Sequence, residues 1–178
     1  MARQLNRLII HHTASPRDTT TLEQVDAWHK VRWPNFKSSL GYWVGYHVLI
    51  GHDWIKQTRA YDEEGANTYG YNSDSIGICL TGNFENEVPN LYQLKQLRDL
   101  LIGLMAQYKL GEQNIYLHRD LTKTACPGKN ITHALITSLF HPEITVPIEP
   151  TPDPEAVPAE KKLSDFISEL GELIERYK

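Results

Sequence analysis

The stretch RLIIHHTAS, residues 7–15, sets an uninterrupted apolar run directly against two histidines. Residues 7–10 therefore read as a buried strand that delivers His11 and His12 at its C-terminal end, the edge of an α/β sheet where chemistry gathers. Successive strand side chains face opposite ways, so His12 is expected on the other face from His11, in a structural role or behind the site.

Outward from this strand the pattern alternates. Thr20 and Glu23 have capping-box spacing, and Leu22, Val25 and Trp28 recur at helical intervals, which predicts a helix over 21–32 that Pro34 ends. Residues 44–50 are β-branched and aromatic around His47, and a hairpin partner follows over 54–58. A further strand is expected over 75–81, with Cys79 as a core residue. The intervening segment 61–74 is rich in Gly, Asn, Asp and Tyr without apolar periodicity, which marks a long loop forming one wall of a groove.

Pro89 and Asn90 start a second helix. Leu91, Leu94, Leu97, Leu101, Leu104 and Tyr108 lie on its apolar stripe, and Gly111 lies past its end. Residues 115–117 form a short strand leading into His118, and 130–140 a closing helix. Strands alternating with helices give an α/β class, and residues 1–142 are expected to be its folded body. Residues 143–162 carry five closely spaced prolines, and read as an acidic, extended linker. Residues 163–178, with Leu163, Phe166, Leu170, Leu173 and Tyr177 in three- and four-residue steps, read as an amphipathic helix. Such a short helix is marginal alone, and is expected to dock on the body, self-associate or bind a protein partner.

Charge excludes some classes of function. The net charge is −4, and residues 143–178 hold nine acidic and four basic side chains while the body is near neutral. Neither part offers the basic stripe of a nucleic-acid binder, and the acidic C-terminal helix is unsuited to an anionic membrane. The N-terminal apolar run is too short for a secretory or spanning segment, so synthesis in the cytoplasm without a signal peptide is expected.

Imidazole nitrogen and thiolate sulfur are zinc donors, and catalytic zinc sites keep three protein ligands and one open position. His11, His118 and Cys126 meet that requirement, although any one alone reads as a structural histidine or a small buried cysteine. The segments LIIHHTAS (8–15), VGYHVLIG (44–51), YNSDSIGICLTGNF (71–84) and LHRDLTKTACPG (117–128) resemble, in order, the signature blocks of the N-acetylmuramoyl-L-alanine amidase family, which includes phage lysozyme-type amidases and animal peptidoglycan recognition proteins.

The resemblance implies a central mixed β-sheet flanked by helices, with a groove floored by zinc on His11, His118 and Cys126. It implies hydrolysis of the amide between the lactyl group of N-acetylmuramic acid and L-alanine, in the manner of a phage endolysin acting on the wall after release or export by a separate route. Peptidoglycan or a muropeptide would be the partner. Tyr46 matches the family's tyrosine near the metal, and would hold the water or stabilise the oxyanion. Thr124, two residues before the cysteine, would donate a hydrogen bond to the carbonyl oxygen, with Lys123 pointing elsewhere. Asn67 stands where many phage relatives carry histidine; Asn72 and Trp28 match family positions that packing explains equally well. The competing readings are a recognition module that binds without cutting, a cytosolic muropeptide-recycling amidase, an exported effector and a protein with a structural zinc.

Overall fold

The computed structural model describes residues 3–141. The linker and helix expected over 143–178 lie outside the described residues. Strand β1 (Arg7–His12) lies inside a five-stranded sheet of order β3-β2-β4-β1-β5, between the central β4 (Ser75–Leu80) and the edge strand β5 (Ile115–Leu117), with β2 at Val48–Ile50 and β3 at Ile55–Gln57. All neighbours pair in parallel except the β2–β3 hairpin. The mixed α/β sheet expected from sequence is therefore present, with helices α1 (Leu22–Arg32), α2 (Leu91–Tyr108), α3 (His118–Leu121) and α4 (His133–Phe140).

Strand alternation divides the core in two. Leu8, Ile10, Ile76, Ile78, Leu80, Val48 and Ile50 pack with Leu97, Leu101 and Leu104 of α2 and Ile136 of α4. Leu49 and Cys79 face the other way, onto Val25 of α1, Val44 and the half-buried Tyr46. Cys79 is thus the core residue expected. No described helix is long and apolar enough to cross a membrane.

Several boundaries differ from the sequence reading for identifiable reasons. The capping box of α1 is Thr21 with Gln24, one residue later than expected, because Thr20 is buried with its hydroxyl donating to the Pro16 carbonyl. The run 44–50 is a strand only from Val48. Its first amides are taken by side chains: Asp26 Oδ1 accepts from Val44 N (3.3 Å) and His29 Nδ1 from Gly45 N (2.8 Å). Leu91 is 86% exposed, while Gln93 turns inward, donating to the Thr81 carbonyl and accepting from Asn90 N. Helix α2 ends where Lys109 adopts a left-handed backbone (φ 56°), two residues before Gly111, and α4 begins after a Thr132 cap.

His47 is buried on the sheet, where Nδ1 accepts from Gly77 N (3.0 Å) and Nε2–H donates to the Glu63 carbonyl (3.0 Å). Burial lowers its pKa from 6.5 to about 4, so the unfolded chain takes up a proton at a pH where the folded one does not. Its contribution is complete above about pH 6.5, and is expected to be lost progressively as pH falls to about 4, at a cost of ~3 kcal/mol. Urea unfolding across this range should show the loss, and His47→Gln should flatten the curve; an unchanged slope in that variant would refute the assignment.

Candidate metal centre

Register brings distant residues together. Ile10 pairs with Leu117 across β1 and β5, so the next residues, His11 and His118, emerge side by side with ring centroids 4.5 Å apart. The turn after α3 returns Cys126 to the same place: its Sγ lies 3.7 Å from His11 Nδ1 and accepts from His12 N (3.4 Å). One ligand atom from each of His11, His118 and Cys126 falls within 4.8 Å of the others.

Burial, followed by the neighbouring His118, holds His11 well below its ordinary pKa, and burial lowers His118 too. Both rings are neutral at physiological pH, leaving nitrogen lone pairs for ligation. Burial pushes the Cys126 thiol up to about 11 against the opposing His12 N–H and Arg119. A coordinated cation reverses this, because a coordinating thiol loses its proton outright. Two imidazoles and one sulfur at this separation fit a transition-metal ion.

A groove of about 590 Å³ opens over the cluster, with Tyr46 and His118 on its lining. One wall is the end of α1, through His29, Arg32 and Trp33; the other is the 61–74 loop, as expected, through Asn67, Tyr69 and Asn72. The loop lacks an apolar core and is held by polar contacts. Arg3 donates to the Asn72 and Ser75 carbonyls (2.8 and 2.7 Å), and Asn72 Oδ1 accepts from Asn67 N and Thr68 N (2.9 and 2.8 Å).

Tyr46 stacks at a tilt on His11 with centroids 5.0 Å apart, and burial, then the sulfurs of Cys79 and Cys126, raise its phenol well above its ordinary pKa. It is a neutral hydrogen-bond donor. His12 is on the opposite face, its Nδ1 accepting from Phe84 N (3.2 Å), as alternation predicts. Thr124 Oγ1 accepts from Cys126 N (3.2 Å), whereas Thr122 lines the groove. Lys123 is exposed and absent from that lining. Trp28 is 48% exposed and outside it; the sequence reading missed His29, Arg32 and Trp33. Burial, with Arg32 next to it, lowers His29 to about 4; since Nδ1 accepts from Gly45 N, the proton of the neutral ring sits on Nε2.

Fold and site together define an α/β protein in which adjacent parallel strands bring two histidines together, and the turn after α3 adds a cysteine, beside an open groove. The family model for N-acetylmuramoyl-L-alanine amidase matches residues 1–129, and the chain belongs to that family. It is 31% identical over 134 residues to a peptidoglycan recognition protein of Bombyx mori, covering 74% of this chain and 68% of that one. It is 31% identical over 135 residues to an endolysin of Klebsiella phage KP32, covering 71% and 83%. The solved N-acetylmuramoyl-L-alanine amidase LysC from Clostridium intestinale URNW superposes with a TM-score of 0.67 at 28% identity, covering 78% of this chain and 87% of that one.

Proposed function

We propose that the chain is a zinc amidase that hydrolyses the bond between the lactyl group of N-acetylmuramic acid and L-alanine of peptidoglycan, with His11, His118 and Cys126 holding the metal. The observation that carries this reading is the convergence of all three donors within 4.8 Å beneath an open groove. A module that only bound muropeptide would have no need of the third donor, and a closed structural zinc site would need a fourth.

Zinc at this position supplies a Lewis acid that acidifies water and polarises a carbonyl. The chain's own groups do the rest. Water oxygen adds to the lactyl carbonyl carbon, the C–N bond breaks, and the alanine nitrogen leaves as an amine with the proton that the water has given up. The neutral phenol of Tyr46 donates to the oxygen that becomes negative in the tetrahedral state. Thr124, whose Oγ1 accepts from Cys126 N, orders the cysteine and keeps its O–H for the substrate carbonyl. Arg32 is the only formal charge on the described groove lining, which suits a stem peptide bearing carboxylates.

The endolysin relative supports action at the cell wall in a lytic setting. Residues 1–142 are the catalytic body on this reading. A chain ending at residue 142 should retain turnover of small muropeptides within a few-fold, whereas an inactive truncation would make the tail part of the catalytic unit. The function itself is tested on a suspension of outer-membrane-permeabilised cells. Turbidity should fall, stop falling with chelator and resume with zinc, and mass spectrometry should find free stems with an intact L-alanine amino end. Cut glycan strands or cross-bridges in place of free stems would overturn it.

A further inference from the structure

His11 has two ring nitrogens, and the site needs a particular one. Nδ1 faces Cys126 Sγ at 3.7 Å, so ligation requires its lone pair and puts the ring proton on Nε2. The ring is 1% exposed, so a proton on Nε2 needs a protein acceptor. Asn67 Oδ1 lies 3.3 Å from Nε2.

We propose that Asn67 is the positioning residue of the metal site, its side-chain carbonyl accepting from His11 Nε2–H and thereby keeping Nδ1 unprotonated and turned to the metal.

Three features hold the amide in that pose. Asn72 fixes the backbone on either side of the Asn67 carbonyl by accepting from Asn67 N and Thr68 N. Thr68 Oγ1–H donates to the same Oδ1 at 3.1 Å, so a second side chain anchors that end of the amide. Gly77 pairs with Ile9 on β1 and lies on the same face as His11; a Cβ there would come within 2.7 Å of Asn67 Cγ, so only glycine leaves the amide its space. Asn67 Nδ2 is buried without a hydrogen-bond partner, a costly arrangement that a purely structural asparagine would avoid. Reversing the amide would leave a His11 Nε2–H without an acceptor. Nδ2 would then donate to Nε2 and drive the ring proton onto Nδ1, against the metal.

The inference rests on the assignment of His11 as a ligand, and its test separates the two. Long-range proton–nitrogen correlation spectra of the metal-free protein, labelled with 15N-histidine, report the His11 tautomer; competition with a chelator reports zinc affinity. The wild type should show Nε2–H. Asn67→Leu, which removes the acceptor, should lose that preference and bind zinc about 10–100-fold more weakly. Asn67→Asp restores an acceptor, and should recover both tautomer and affinity to within a few-fold. An Nδ1–H wild type overturns the proposal whether or not the variants fold. So does an Asn67→Leu protein with unchanged tautomer and affinity, or an Asp variant as impaired as Leu at an unchanged melting temperature. A wild type that shows Nε2–H yet binds no zinc would refute the zinc reading and leave the Asn67–His11 contact standing.

Discussion

Cys126→Ser is expected to lower kcat/KM at least about a thousandfold, ~4 kcal/mol of transition-state stabilisation, while leaving the fold intact. Serine is close in size, and its oxygen can accept the His12 N–H that now meets Cys126 Sγ at 3.4 Å. What it lacks is an ionisable group soft and acidic enough to bind zinc as thiolate does. The variant should therefore melt as the metal-free wild type does, hold little zinc after dialysis and cleave no muropeptide. Steady-state assays with metal analysis check this, and near-normal turnover would remove Cys126 from the site.

Tyr46→Phe is expected to lower kcat by about 10²–10³-fold with KM little changed, the signature of a donor used mainly in the transition state. Phenylalanine keeps the ring packing on His11 at 5.0 Å and on His29 at 5.4 Å, so zinc affinity should be unaffected. The wild-type phenol stays protonated across the working range because burial raises its pKa. Rapid-mixing or steady-state kinetics on a defined muropeptide measures the split. An unchanged kcat would reduce Tyr46 to a packed aromatic.

The strand β1 was legible because its apolar run is continuous and ends abruptly in histidines, and α2 because its leucines keep helical spacing over five turns. That His118 lands beside His11 was not: it depends on the Ile10–Leu117 register, a contact across more than a hundred residues that no local pattern encodes. Family resemblance supplied that pairing. The loss of regular strand at 44–47 was hidden for a related reason, since the amides of Val44 and Gly45 are claimed by Asp26 and His29 of α1. The α1 wall of the groove did have a signal. His29, Arg32 and Trp33 stand at i, i+3 and i+4 and share one helix face, whereas Trp28, one residue round, points to solvent. Asn67 read as an unexplained departure from its relatives; its meaning emerges only where Gly77 makes room for it against His11.

One zinc ion held by two imidazoles and one thiolate, with a position left for water, has a distinctive ligand shell, and X-ray absorption at the zinc edge of the loaded protein reads that shell directly. One sulfur at about 2.3 Å and three nitrogen or oxygen neighbours at about 2.0–2.1 Å are expected, the sulfur vanishing in Cys126→Ser. A shell without sulfur, or one unchanged in that variant, would contradict this ligand set.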